Sequence, residues 1–201
     1  MFVYIQNYQC TNPGELDEVA PFEILPKPKE FITVSSNNTQ DSVNSQYLYE
    51  PIIKKVLDSP YMSYPLTLIF ETYSKELVEE ALKENKLSFS LLLEKHHIVE
   101  TDVFKVVIEK EDDLWSVFPI WSTSGTDSLF NILTESDEIV CVTGDHIYID
   151  LNKNPSSKSL FFMYDLQELC FLGYEKPQDR AYIKKYFLQG AEIVDDYVSE
   201  V

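Results

Sequence analysis

The segment 138-EIVCVTGDHIYIDL-151 predicts a β-hairpin and thereby decides the class of fold. Two runs rich in β-branched and aromatic residues flank Gly144 and Asp145, a pair that suits a tight turn of the primed type. Because such a turn joins neighbouring antiparallel strands, we expect a mostly antiparallel sheet around this hairpin.

Other segments of strand composition lie on both sides of the hairpin. The acidic run 109–113 is expected to turn the chain between two of them, and ELCFLGY, beginning at Glu168, is expected to pair with the last. These segments are residues 2–8, 31–34, 64–73, 103–109, 114–121 and 159–166.

Helices are predicted where apolar residues recur three and four positions apart. One has Pro51 in its first turn, a second follows Ser74, and a short third follows Gly125 and carries Leu129 to Leu133. A last helical region opens at Pro177 and repeats its apolar pattern as far as Val198. The sequence therefore predicts an α+β fold with six to eight strands in a mostly antiparallel sheet and four to five helices packed against it.

The length of 201 residues fits a single α+β domain over residues 1–201. Residues 35–46, SSNNTQDSVNSQ, are nearly all small and polar and are expected to form a mobile loop. As an alternative, residues 1–60 form a small N-terminal lobe that includes this loop.

Charge is the strongest indication of function. Thirty-four acidic residues face sixteen basic ones, which gives a formal net charge of −18. The chain is also 44% hydrophobic and 13% aromatic, so it has the apolar area of a folded domain rather than of a disordered acidic tail. We expect a negative surface that attracts a basic protein partner and repels nucleic acid and anionic membranes.

The sequence motifs argue against cofactors and metals. None of the five glycines lies in a phosphate-binding motif, and Arg180 is the single arginine available for a bidentate anion clamp. The three cysteines Cys10, Cys141 and Cys170 lack zinc-site spacing, so we expect free thiols and neither a disulfide framework nor a metal site. The N-terminal residues lack the features of a signal peptide, which favours a reducing, cytoplasmic location.

The predicted partner-binding site is a patch of acids with one tryptophan beside them. Each acidic group abuts an end of a predicted strand, and strand ends on one side of an antiparallel sheet lie close together. Six such acids would repel one another, so we expect a cationic partner to compensate them. The site residues are Glu111, Asp112, Asp113, Trp115, Glu135, Asp137 and Glu138.

An enzymatic alternative rests on histidine. His146 follows the turn of the hairpin and could act with Asp145 or Asp150 in a catalytic site that matches no known motif. His96 and His97 are adjacent, so their side chains point apart and do not readily chelate one metal.

Residues 115–187 resemble the C-terminal half of SUKH domains. The matching pieces begin at Leu114-Trp115 with Phe118-Pro119-Ile120 and continue through Ile147-Tyr148-Ile149-Asp150-Leu151, Phe161-Phe162-Met163-Tyr164-Asp165 and Tyr186-Phe187. The resemblance implies an immunity protein that neutralises a toxin, often a nuclease, and that has no catalytic residues of its own. A phage-encoded acidic inhibitor of a host defence or nucleic-acid enzyme is a second form of the same expectation.

Overall fold

The fold is described from a computed structural model. It describes residues 2–7, 22–26, 32–36, 42–96, 100–127, 129–144, 146–163, 168–172, 181–182, 185, 187 and 192–195. Three α-helices and twelve strands lie within these ranges, so the α+β class is confirmed while the helices are fewer and the strands more numerous than predicted.

The helices are α1 (Ser42–Leu57), α2 (Lys75–Glu84) and α3 (Glu111–Thr126), and a 3-10 turn covers Asp137–Ile139. The strands are β1 (Phe2–Asn7), β2 (Glu23–Leu25), β3 (Ile32–Ser36), β4 (Leu66–Thr72), β5 (Ser88–His96), β6 (Thr101–Ile108), β7 (Asn131–Thr134), β8 (Val140–Thr143), β9 (His146–Asp150), β10 (Ser159–Met163), β11 (Glu168–Leu172) and β12 (Glu192–Asp195).

Two sheets organise the described residues. The larger has nine strands in the order β12-β1-β3-β11-β10-β7-β4-β6-β5, and the smaller has three in the order β2-β9-β8. Within the large sheet β1 and β12 run parallel, whereas each of the other neighbouring pairs is antiparallel. The mostly antiparallel sheet is thus confirmed.

Both faces of the large sheet are covered. Alternation along β4 sends Leu66, Leu68 and Phe70 to one face, where they pack in the same core as the apolar residues of α1, α2 and α3. Ile69 points to the opposite face and packs with Ile147 and Ile149 of the small sheet. We call these the helix face and the small-sheet face.

The predicted hairpin is confirmed. Strands β8 and β9 pair antiparallel from Val140 opposite Ile149 to Thr143 opposite His146. Gly144 has φ +65°, a backbone conformation that a residue with a Cβ adopts only under strain. The pairing of β10 with β11 is also as predicted.

The largest correction concerns residues 109–121. The acidic run does not turn a hairpin, because Glu111–Asp113 form the first turn of α3, and 114–121 is helical rather than a strand. Leu114, Val117, Phe118 and Trp121 are spaced i, i+3, i+4 and i+7 and are all buried. That continuous stripe outweighs Pro119, which lies inside the helix and costs it one backbone hydrogen bond.

Two further segments predicted as helical are strands. Residues 131–134 form β7, which is buried on both faces and therefore shows no alternation in sequence. Ile193 and Val194, which were predicted to lie in a helix, belong to β12 and pair with β1. Two adjacent apolar residues are therefore not enough to predict a helix. Most of the region from Pro177 to Phe187 lies outside the described residues.

The first helix is longer than predicted. α1 begins at Ser42, so Pro51 lies inside it rather than in its first turn. Ser35 and Ser36 belong to β3 and residues 42–46 to α1, which leaves 37–41 of the predicted loop outside the described residues. Strands β1 and β3 lie in the large sheet, and Ile53 and Val56 of α1 pack in the helix-face core.

Candidate partner-binding surface

The two acidic groups leave the large sheet at the same end. Strand β4 lies between β6 and β7 and is antiparallel to both, with Leu66 opposite Ile108 and Thr67 opposite Thr134. Because neighbouring strands are about 4.8 Å apart, the chain leaves β6 and β7 at points roughly 10 Å apart. We call this the acidic end of the sheet.

Glu111 is held by two donors. Its Oε1 accepts hydrogen bonds from Lys54 Nζ at 2.7 Å and from the indole Nε1 of Trp115 at 2.8 Å. These two bonds, the one from Lys54 first, lower the pKa of the Glu111 carboxyl. The same contact raises the pKa of Lys54, and it ties the last turn of α1 to the first turn of α3.

Asp113 and Asp112 sit beside Glu111 in different settings. Asp113 Oδ2 accepts a hydrogen bond from the backbone N–H of Glu109 at 3.1 Å, so it holds the chain as it enters α3. Asp112 is exposed, and among the described residues it has no hydrogen-bond or ion-pair partner. All three acids lie in the first turn of α3, where the helix dipole favours negative charge.

The second acidic group follows β7. Glu135 Oε1 accepts a hydrogen bond from the backbone N–H of Ser63 at 3.0 Å. Asp137 forms an ion pair with Lys105. Lys105 and Val103 are two residues apart in β6, so their side chains project from the same face of the sheet. Val103 packs on the small-sheet face, and the ion pair with Lys105 therefore places Asp137 towards that face. Glu138 is exposed, with no partner among the residues described.

Tyr64 follows Ser63 in sequence and lies near the acids at the start of α3. Burial raises its pKa, and the charges of Glu111, Asp58 and Asp113 raise it further, to about 12. Its hydroxyl is enclosed and finds no hydrogen-bond partner in the described part of the chain. Burial of the ring and the nearby carboxylates therefore both favour the protonated phenol.

Compensation of the acids is thus largely internal. Glu111 and Asp137 bind lysines, and Asp113 and Glu135 accept backbone N–H groups, so their repulsion does not by itself require an external cation. Trp115 is half-buried and packs against Phe118 at 5.3 Å between ring centroids, with its N–H already bound. The exposed acids available to a partner include Glu109 and Asp112 near the start of α3 and Glu138 after β7.

The alternative site around His146 is spread out. His146 is exposed at the start of β9, and Asp150 lies four residues along the same strand. Four residues of strand span roughly 13 Å, which is too far for a hydrogen bond between the two side chains. Asp150 Oδ1 instead accepts the backbone N–H of Asn152 at 3.0 Å, and Asp145 lies outside the described residues.

The described residues contain no group of three or more His, Cys, Asp or Glu side chains placed to hold a metal ion. Cys141 and Cys170 are buried and form no disulfide among the described residues, as predicted, whereas Cys10 lies outside those residues. Among the helices described, none is long and apolar enough to cross a membrane.

Comparison with family models, with curated proteins and with solved structures finds no match. The resemblance of residues 115–187 to SUKH domains therefore stays a prediction.

Sequence reasoning missed the groups that hold the acids in place. Lys54 is 57 residues from Glu111, and Ser63 is 72 residues from Glu135, so no local pattern connects them. A signal for the setting of Glu111 was present, since the helical stripe that starts at Leu114 places the three preceding acids in a first turn.

Proposed function

We propose that the protein is an acidic inhibitor that binds a basic protein partner and covers its cationic surface. Toxin immunity, with a nuclease as the toxin, is the form that the resemblance to SUKH domains implies. A phage-encoded inhibitor of a host defence enzyme uses the same physical mechanism. In each form the protein performs no chemistry and acts by occlusion.

The observation that carries the proposal is the concentration of acids at one end of the sheet. Glu109 and Asp112 are exposed near the start of α3, and Glu111 and Asp113 are fixed beside them by Lys54 and by a backbone amide. Fixed acids lose little side-chain entropy on binding, because their rotamers are already ordered in the free protein. This arrangement suits lysine and arginine side chains of a partner.

The net charge of −18 adds long-range attraction to this local contact. Attraction between opposite charges speeds the encounter of two proteins, whereas desolvated ion pairs slow their separation. The same charge opposes binding to nucleic acid. We place the activity in the cytoplasm, because buried cysteines that form no disulfide, such as Cys141 and Cys170, match a reducing environment.

The test uses a partner isolated from the native source with the wild-type protein as bait and then purified. Asp112→Lys reverses one exposed acid at the start of α3, and we expect it to weaken partner binding by roughly tenfold or more. Asp127→Lys is the matched control, because it makes the same charge change at the exposed C-terminal end of the same helix. The control variant should bind within roughly twofold of wild type. Both variants change the net charge equally, but only Asp112→Lys alters the proposed contact.

Binding is measured by titration calorimetry, with circular dichroism to verify that both variants fold. Equal binding by Asp112→Lys and wild type would exclude this end of the sheet as the site. Isolation of an acidic partner, or of nucleic acid free of protein, would contradict the proposed function itself. A purified partner that is an enzyme should lose its activity on binding.

A further inference from the structure

The second surface of interest is the open edge of the large sheet. β5 is the terminal strand at that edge, and among the described strands only β6 pairs with it. β5 is nine residues long, and its register with β6 is regular over Ser88–Leu91 before it shifts near Leu93. A terminal strand presents unpaired backbone N–H and C=O groups that can pair with another chain.

Helix α2 runs alongside this edge. Lys75 Nζ in its first turn binds Glu94 Oε1 near the end of β5 at 2.6 Å. At the other end, the backbone N–H of Leu87 donates to Leu82 O at 3.0 Å in the tight link between α2 and β5. The helix is therefore antiparallel to β5, and the two elements are joined near both of their ends.

Two exposed apolar side chains lie at the start of α2. Three large hydrophobic side chains are exposed among the described residues, namely Tyr73 at 51%, Leu77 at 68% and Val142 at 39%. Leu77 lies in the first turn of α2, and Tyr73 lies just before it. Aromatic and aliphatic side chains left exposed beside an open strand edge are typical of a protein–protein interface.

The low net charge of this surface favours a second copy of the chain as its binding partner. Residues 75–95 contain five glutamates and four lysines, so this part of the chain is almost neutral in a protein of net charge −18. Four of these charged residues form two ion pairs within the surface, Lys75–Glu94 and Lys83–Glu79. A second copy of the chain, which the rest of the surface would repel, meets little repulsion here.

The distribution of charge along α2 points the same way. Residues 75–80 carry three glutamates and one lysine, whereas residues 81–86 carry two lysines and one glutamate. Two copies of α2 placed antiparallel across a two-fold axis bring the acidic half of each against the basic half of the other. The surface is therefore complementary to itself, as an isologous interface requires.

We propose that the chain forms a two-fold dimer in which β5 pairs antiparallel with β5 of a second copy. The regular segment Ser88–Leu91 forms the new strand pair, and α2 of each copy covers the junction on the helix face. Leu77 packs against the basic half of α2 in the second copy. The dimer interface is formed by β5 and α2, whereas the proposed inhibitory function rests on acids at the start of α3, so the two proposals are tested by different variants.

The experiment measures the mass of the full chain by sedimentation equilibrium over a range of concentrations. We expect the mass to rise from 23.4 kDa towards twice that value as concentration increases. Leu77→Lys should weaken the dimer by roughly tenfold, because it removes an apolar contact and places a cation against the basic half of the second α2. Val142→Lys is the matched control, since it makes the same substitution at an exposed position on β8 in the small sheet.

Hydrogen exchange supplies the second measurement. Alternate amides of Ser88–Leu91, those directed away from β6, should become protected only at concentrations where the dimer forms. The proposal stands if Leu77→Lys weakens the dimer more than Val142→Lys does and these amides gain protection. A chain that stays monomeric up to millimolar concentration, equal effects of the two variants, or unprotected β5 amides in a dimer would each overturn it.

Discussion

The side chain of Asn131 binds both backbone groups of Phe162. Its Oδ1 accepts the N–H of Phe162 at 2.7 Å, and its Nδ2 donates to the carbonyl of Phe162 at 3.1 Å. The backbone pairing of β7 with β10 covers Ser159 with Thr134 and Leu160 with Leu133, and Phe162 lies opposite Asn131 in that register. The amide of Asn131 thus extends the ladder where the two backbones no longer pair.

Replacing Asn131 by alanine should therefore be costly. The Asn131 Oδ1 atom also accepts the indole N–H of Trp121 at 3.1 Å, and Asn131 is fully buried. Asn131→Ala leaves two buried N–H donors without an acceptor, which should lower the free energy of unfolding by about 2–5 kcal/mol. Urea denaturation measures the loss. Asn152→Ala, at an exposed asparagine, is the control and should change stability by less than about 0.5 kcal/mol.

Gly125 marks a close approach of α3 to β10. A Cβ at this position would lie 2.6 Å from Phe162 Cβ, so either the helix or the strand must move. Gly125→Ala should lower the free energy of unfolding by about 1–3 kcal/mol, whereas the same change in an open helix stabilises it. Thermal unfolding compares it with Thr126→Ala, which removes a side chain at the exposed next residue. A Gly125→Ala variant as stable as wild type would mean that α3 is free to shift.

Tyr64 should couple stability to alkaline pH. Its pKa of about 12 in the folded protein exceeds its ordinary value of 10.0, so folding favours the protonated phenol. Its contribution to stability is complete below pH 10 and is lost as the pH rises through the folded pKa. Tyr64→Phe should remove part of the decline in melting temperature between pH 9 and 12. An unchanged alkaline profile in that variant would contradict the assignment.

Glu111 should show the opposite dependence, at acidic pH. Its pKa lies below the ordinary value of 4.5, so its contribution to stability is complete above that value and is lost as pH falls through the folded pKa. Lys54→Met should raise the Glu111 pKa, because it removes the first of the two donors. Carboxyl NMR titration measures the change. Lys55→Met is the control, since Lys55 Nζ binds the carbonyl of Phe187 and not Glu111.

The proposed inhibitory function predicts a strong effect of salt on partner association. Raising the ionic strength from 0.01 M to 0.15 M shortens the screening length from about 30 Å to about 8 Å. We expect the association rate constant to fall by roughly tenfold or more, with a much smaller change in the dissociation rate constant. Stopped-flow fluorescence with the purified partner measures both. An association rate independent of salt would remove electrostatic attraction from the mechanism.

Segments with one exposed and one buried side were predictable from sequence. Strand β9 alternates between buried and more exposed positions, and α2 carries buried Val78 and Leu82 four residues apart. Segments buried on both sides were not. β7 is buried at all four positions, so it has the composition of a core helix as much as of a strand.

Proline misled the prediction of both α1 and α3. Pro51 and Pro119 lie inside these helices, although a proline in a helix interior costs about 3 kcal/mol in isolation. The buried stripes of the two helices against the large sheet offset that cost, which is a tertiary effect that no local pattern displays. The acids were identified from composition, but the pairing of Glu111 with Lys54 depends on the long-range packing of α1 against α3.

The parallel pairing of β1 with β12 has a consequence for the order of assembly during synthesis. β1 is the first described strand to be made and β12 the last, yet Phe2 lies opposite Glu192 in the sheet. The strands β4 to β7 can pair from nearby segments as they emerge, whereas β1 keeps an unmatched side until the rest of the described chain has been translated. Contacts of such large sequence separation form slowly, so closure of this edge should be the late step of folding on the ribosome.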